Sequence, residues 1–201
     1  ITTTQRTQIV AATFTNIALD NTAFVEFTSN SLVVSEDISI NNSSILELAT
    51  ANVTGDVTIS NSGMLSHSET TTGTVYRLDL TADQVIVNTG AFINTNARGF
   101  LGGYTYNAGS PNIPTTTGAP SSLAGGSHFG EGGQGVGTEG IVYDSIFEPN
   151  QPGGGVGGGV AGAGGGVVKI TTNTLLLDGS ISANGRSDTS NAYTGSAGGS
   201  I

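Results

Sequence analysis

Ile38-Ser39-Ile40-Asn41-Asn42-Ser43-Ser44-Ile45-Leu46 carries the pattern on which the fold turns: apolar, polar, apolar, then Asn, Asp or Ser, then small polar residues, then a second apolar pair. Apolar residues two apart share one face of a strand. Asn followed by Ser, Thr or Gly supplies the tight or left-handed backbone of a turn. The stretch therefore reads strand, turn, strand. It recurs at Ile17-Ala18-Leu19-Asp20-Asn21-Thr22-Ala23-Phe24-Val25 and at Val57-Thr58-Ile59-Ser60-Asn61-Ser62-Gly63-Met64-Leu65. Further copies stand at Val85-Ile86-Val87-Asn88-Thr89-Gly90-Ala91-Phe92-Ile93 and, shortened, at Leu175-Leu176-Leu177-Asp178-Gly179-Ser180-Ile181.

The first four copies start 21, 19 and 28 residues apart, and a period near 20 is that of a solenoid. One such unit cannot bury its apolar face alone, whereas stacked units bury a continuous column. Ile17, Ile38, Val57, Val85 and Leu175 are expected to stack, as are Leu19, Ile40, Ile59, Val87 and Leu177. Asp20, Asn41, Ser60, Asn88 and Asp178 are expected to stack at the turn and to bond up and down the ladder. A leucine-rich repeat shares the period but needs a Leu-dense consensus that is missing here. Helical repeats are excluded, because Thr, Ser, Asn, Gly and Val dominate and no long segment shows a 3.6-residue apolar stripe. The expected fold is all-β, a right-handed parallel β-helix with a long glycine-rich insertion. Its rungs are read over 1–98, the insertion over 99–166 and the resumed helix over 167–201, as a single elongated domain belonging to a longer chain.

Composition agrees with a thin, continuous core. Hydrophobic residues make up 36% of the 201, charged residues 10%, and Gly accounts for 32 positions, so the surface is polar but largely uncharged. The net charge of −10, with the basic residues Arg6, Arg77, Arg98, Lys169 and Arg186 scattered, repels phosphate backbones, and nucleic acid is not an expected partner. There is no cysteine, hence no disulfide framework and no thiolate metal site. No run of about 18 apolar residues occurs, so no membrane span is expected in this segment.

From Gly99 to Gly166 the repeat gives way to Gly, Pro, Thr and Ser. Leu78-Asp79-Leu80-Thr81 before this stretch and Val168-Lys169-Ile170-Thr171 after it resemble each other, so the chain leaves after one rung and returns to start the next. Ten glycines fall within residues 153–166. That run reads either as a flexible linker or as an ordered, closely packed segment. Ordering it costs about 1–2 kcal/mol per residue in backbone entropy, which calls for extensive backbone hydrogen bonding or contact with a neighbouring chain. Order, with association through copies or further repeats, is the expectation. A phosphate loop is excluded, because Lys169 precedes Ile170 in a β-like run, and the formal GxGxxG match at Gly135 to Gly140 is followed by Pro149 and Pro152 rather than a helix. Gly132-Gly133-Gln134-Gly135-Val136-Gly137 resembles a calcium-binding nonapeptide, yet Gly137 stands where the ligating Asp belongs. No cofactor is expected, calcium being the one metal considered.

An enzyme on this scaffold would need clustered carboxylates acting as acid and base on a polysaccharide. The residues to examine are His128 and Glu131, then Glu139, Asp144 and Glu148, and the pair Arg186 and Asp188. They read as solvated loop charges, and no catalytic, cofactor-binding or metal-binding residue is assigned. His67 falls where Phe27 and Leu48 stand in the first two copies and is expected to cap a rung. Asn41, Asn42 and Asn52 fit the glycosylation sequon.

The run from Gly164 through Leu175-Leu176-Leu177-Asp178-Gly179-Ser180-Ile181-Ser182-Ala183-Asn184-Gly185 resembles a motif of very large secreted surface proteins: a glycine-rich insertion ends in a Gly doublet, then a strand, then a Gly-x-Ile-Ser-Ala-x-Gly turn. Over residues 78–201 the chain is similar to glycine-rich parallel β-helix surface proteins of the giant-adhesin or autotransporter-passenger kind. The resemblance implies an extracellular, cell-surface segment with a structural or adhesive role in a filament or matrix. Its partners would be copies of itself, neighbouring repeats of the parent chain, or surface glycans. A polysaccharide lyase or glycoside hydrolase is the alternative.

Overall fold

A computed structural model describes residues 6–10, 13–28, 31–157, 162–186 and 195–201. Regular secondary structure among them is entirely β, and no helix is long and apolar enough to cross a membrane. The chain divides into two compact units, the first formed by Ile1–Ser68, Leu78–Asn94 and Lys169–Ser182, the second by Glu69–Arg77, Thr95–Val168 and Ala183–Ile201. The glycine-rich stretch read over 99–166 lies within the second unit, which also takes in residues on either side of it.

In the first unit the repeat becomes parallel ladders. One six-stranded sheet holds β1 (Arg6–Ile9), β4 (Phe24–Phe27), β7 (Ile45–Glu47), β10 (Met64–Ser66), β12 (Phe92–Asn94) and β14 (Ser180–Ser182), each beside the next. Val25, Leu46, Leu65, Ile93 and Ile181 face one another across it. An eight-stranded sheet runs β2 (Thr13–Phe14), β5 (Leu32–Val34), β8 (Thr50–Val53), β11 (Leu78–Val87), β9 (Asp56–Ile59), β6 (Ile38–Ile40), β3 (Ile17–Leu19), and β13 (Val168–Leu177) also pairs with β11. Here Ile17, Ile38, Val57 and Val85 form one column and Leu19, Ile40, Ile59 and Val87 a second, in the register read from the sequence. Ile40, Val57, Ile59, Val85 and Val87 are fully buried, each worth about 1.5–3 kcal/mol of transfer free energy.

A third column, Leu32, Ala51 and Leu80, joins β5, β8 and β11, and the repeat pattern did not contain it. β8 and β9 are separate strands with a corner between them, and both lie against the single ten-residue strand β11. At that corner the Asn16 carboxamide accepts the Asp37 N–H and the Asp37 carboxylate accepts the Asp56 N–H, both at 2.9 Å. A Cβ at Gly55 would collide with the Asp37 side chain, so only glycine turns there.

The opposite turn behaves as the sequence implies, through two positions rather than one. Asn21 and Thr22, Asn42 and Ser43, and Asn61 and Ser62 are successive pairs with φ between 47° and 62°. Asn42 Nδ2 donates to Asp20 Oδ1, and Ser60 and Asn61 both donate to Asn41 Oδ1. Asn tolerates the left-handed region better than most residues, and backbone bonds such as Ser43 N–H to the Asn61 carbonyl at 3.0 Å tie each turn to the next.

The last copy pairs with β11 in the expected register but is not buried. Lys169 Nζ lies 3.5 Å from Asp79, and Asn173 Nδ2 donates to Asp83 at 2.7 Å, both at an offset of 90. That offset sets Leu175 beside Val85 and Leu177 beside Val87. Yet Leu175 and Leu177 are 44% and 45% exposed, because no described strand covers the far side of β13. Among the described residues the columns stop at this strand.

The second unit is held by backbone bonds between glycine-rich segments. Residues 153–157 and 164–166 are buried. Gly153 N–H donates to the Gly165 carbonyl at 2.8 Å, Gly99 to Gly164 at 2.7 Å, Gly164 to Phe100 at 2.9 Å, Gly154 to Ser127 at 3.1 Å and Gly165 to Ala197 at 3.0 Å. A Cβ on Gly153, Gly164 or Gly199 would overlap a neighbouring carbonyl, so glycine is required by close approach of backbone to backbone. Beside these segments Phe100, Val75 and Tyr143 form a small core joined by Tyr104 and Tyr106.

Candidate functional site: a clamped loop in the second unit

Between Tyr143 and Pro152 the chain makes a short excursion whose base is fixed and whose tip is bare. Tyr143 is anchored by its ring against Phe100 and Tyr106 and by its hydroxyl, which donates to the Pro152 carbonyl at 2.7 Å. Asp144 follows with φ 73°, a conformation non-glycine residues adopt only when the surroundings compensate. Its Oδ1 accepts the Ser145 N–H at 2.9 Å, and its Oδ2 accepts Gln151 N–H at 2.8 Å and Asn150 N–H at 3.1 Å. One carboxylate thus gathers both ends of the loop 145–150. Ser145 Oγ accepts the Phe147 N–H at 3.2 Å, turning the chain so that Ile146 and Phe147 project, 71% and 88% exposed.

Behind Asp144 stands His128, with Nε2 3.0 Å from Asp144 Oδ2 and both side chains nearly sealed from solvent. Its Nδ1 meets the Gly198 carbonyl at 2.9 Å, and Phe129 stacks on the ring at 3.9 Å between centroids. Arg77 supports the far end: its guanidinium donates to the carbonyls of Asn150 and Pro111 and to the side chains of Asn112 and Gln151. Ser200 Oγ donates to the Gln151 carbonyl at 2.8 Å.

Burial raises the affinity of the Asp144 carboxyl for its proton, but the N–H groups of Gln151, Ser145 and Asn150 with the His128 ring outweigh it and hold the group below the usual carboxylate range. Burial, helped by the Asp144 charge, pushes the Tyr143 phenol well above its ordinary value. The Arg77 guanidinium is lowered by burial, with Asp144 and Tyr106 acting the other way. Both ring nitrogens of His128 and both oxygens of Asp144 are engaged within the protein, so the pair as arranged fixes backbone.

Of the residues singled out in the sequence, the fold brings His128 and Asp144 into contact. Glu131 and Glu148 are exposed, and Glu139 Oε2 is buried without a hydrogen-bond partner among the described residues. Arg186 is exposed and uses its backbone, donating to the Ala163 carbonyl and accepting from Ser196, while Asp188 lies outside the described residues. His67 is fully buried in the first unit, its Nδ1 2.8 Å from the Ser68 carbonyl. Among the described residues no three His, Asp or Glu side chains gather in a way that could hold a metal ion.

Sequence reading passed over two buried acids of the first unit. Glu26 and Glu47 face each other in register on β4 and β7, 6% and 1% exposed, with Gln8 and Ser68 donating to Glu26 at 2.8 and 2.6 Å. The signal was present: each follows the apolar pair, Phe24-Val25 or Ile45-Leu46, at the same place in two successive copies. Arg77 carried no local signal, because the groups its guanidinium bonds, Gln151 among them, lie more than 30 residues away.

Comparison with protein-family models, with curated proteins and with solved structures gave no match.

Proposed function

We propose that this chain is a segment of a right-handed parallel β-helix belonging to an extracellular surface, filament or matrix structure, and that its role is architectural and adhesive. The observation that carries the reading is the register. Successive copies of one apolar-x-apolar pattern pair in parallel, each beside the copy before it, and both sheets end in edge strands. A structure of that kind grows by adding rungs. The low charge and small polar side chains of the surface suit a material exposed over a large area. Ile146 and Phe147 supply a contact point, an apolar tip on a base fixed by Asp144, His128 and Arg77, which contacts a saccharide face or an apolar surface without first ordering a loop.

The His128–Asp144 pair is the one feature that favours the alternative, a polysaccharide-active enzyme. Incubating the chain with neutral and acidic polysaccharides, with and without calcium, separates the two. The expected outcome is depletion of the protein onto the insoluble polysaccharides, weakened several-fold by Ile146→Ser with Phe147→Ser, and no release of reducing ends or unsaturated products. Product release that disappears in Asp144→Asn or Glu131→Gln would overturn the architectural reading.

A further inference from the structure

We propose that His128 is a pH latch: a doubly protonated, positively charged ring that ties three segments of the second unit together and releases the loop 145–150 when it gives up a proton. The inference rests on the reading of Ile146 and Phe147 as a contact point, and it adds to that contact a control.

The hydrogen bonds set the number of protons on the ring. Nδ1 of His128 lies 2.9 Å from the Gly198 carbonyl and Nε2 lies 3.0 Å from Asp144 Oδ2. A carbonyl oxygen and an ionised carboxylate can only accept. Asp144 is ionised, since its two oxygens accept the N–H groups of Ser145, Asn150 and Gln151 and its carboxyl is held below the usual range. Both ring nitrogens therefore donate, which takes a proton on each. A neutral imidazole has one N–H, and its other nitrogen would turn a lone pair toward an oxygen lone pair. The two side chains are 4% and 3% exposed, so water does not replace the lost bond.

The surroundings suit a cation. Phe129 stacks on the ring at 3.9 Å and Tyr143 lies tilted at 5.2 Å between centroids, and an aromatic face attracts positive charge. Among the described residues Asp144 is the ionised group in contact with the ring. Tyr143 keeps its phenol proton, being pushed well above its ordinary value. Arg77 stands at the other end of the loop, on Asn150 and Gln151, and acts on Asp144 through its charge. Glu131 and Glu148 are exposed, the buried Oε2 of Glu139 has no hydrogen-bond partner among the described residues, and the segment 195–201 carries no titratable side chain. Loss of one ring proton costs His128 one of its two acceptors. It gives up either Asp144, which gathers the loop, or Gly198, two residues before the Ser200 hydroxyl that holds the Gln151 carbonyl. The latched form holds one proton more than the released form wherever a free imidazole is neutral, above about pH 6.5. Raising the pH therefore favours release, and acid releases the loop from the other side by protonating Asp144.

Nitrogen NMR of the unaltered chain reads the ring, and amide exchange reads the loop. At about pH 7 His128 is expected to carry a proton on each nitrogen. As the ring titrates on raising the pH, protection of the Asn150 and Gln151 amides, corrected for their intrinsic exchange rates, is expected to fall about tenfold or more. His128→Gln cannot donate to both acceptors and should show the low protection at every pH. Retention on insoluble polysaccharide at about pH 6 and about pH 9 is expected to differ several-fold for the unaltered chain and to stay equal for Ile146→Ser with Phe147→Ser. A neutral ring at about pH 7 with both amides protected would overturn the latch, and so would protection that does not move while the ring titrates. No binding at any pH, with the latch present in the spectra, would remove the contact reading and leave the latch standing. Equal binding at both pH values with a titrating ring would remove the control and leave the contact.

Discussion

Asp144 fastens both ends of the loop 145–150 in the second unit. It sits in a left-handed conformation, φ 73°, and its two oxygens accept the N–H groups of Ser145, Asn150 and Gln151 while facing His128. The lowered carboxyl pKa fixes the sign of its pH dependence. The folded state binds the proton less tightly than the unfolded chain, so the stabilisation is complete above the unfolded value of about 3.9 and is lost as the pH falls through the lower folded value. Asp144→Asn should cost about 2–4 kcal/mol at neutral pH, since an amide turns a donor pair toward N–H groups that need acceptors. Urea titrations of the two proteins should differ most above pH 4 and converge toward acid; a difference that persists at the acid limit would show that the charge is not what holds the loop. The sequence offered Asp144 as one of several loop acids, because the partners that single it out, His128 sixteen residues before and Gln151 seven after, meet it only through the fold.

The glycine-rich segments hold together where extended strands with side chains could not. Gly153, Gly154, Gly164 and Gly165 approach neighbouring backbone so closely that their N–H groups are satisfied between segments rather than by water. Gly199→Ala would drive a methyl group into the Gly166 carbonyl and Gly164→Ala into that of Gly153. Each should destabilise the unit by about 3 kcal/mol or more, with faster amide exchange across 153–157. Gly73→Ala meets nothing within 4 Å and should be neutral or stabilise by about 0.4–1 kcal/mol through the unfolded chain. Equal melting temperatures for the Gly199 and Gly73 variants would refute close packing as the reason for glycine. That glycine dominated 153–166 was plain from the sequence. Whether it meant a free linker or a packed segment was not, since both use the same residue, one for its freedom and the other for its missing side chain.

Across the first unit one column contains both the most and the least sensitive positions. Ile59 is fully buried between Ile40 and Val87, and Ile59→Asp strands an unpaired charge in the stack, a cost of several kcal/mol. The expected result is loss of the β circular-dichroism signal at room temperature. Leu177, on the same column two rungs on, is 45% exposed, and Leu177→Asp should change the stability of the isolated chain by no more than about 0.5 kcal/mol. A folded Ile59→Asp protein would contradict the ladder itself.

Residues 17 to 93 specified their own pairing. Alternation at Ile17, Ile38, Val57 and Val85 sets which face is apolar, Asn41 and Asn61 set where the chain turns, and a one-residue slip would expose every apolar side chain, so pattern and register are one piece of information. Leu175 and Leu177 repeat that pattern faithfully and still lie open among the described residues, because burial depends on whether another strand stacks above, which no local pattern records. The corner ladder of Asn16, Asp37 and Asp56 and the facing pair Glu26 and Glu47 follow the same logic. So does the clamp of His128, Asp144 and Arg77. Each is a contact between residues whose own neighbourhoods are ordinary, and only the path of the chain through space brings them within hydrogen-bonding reach.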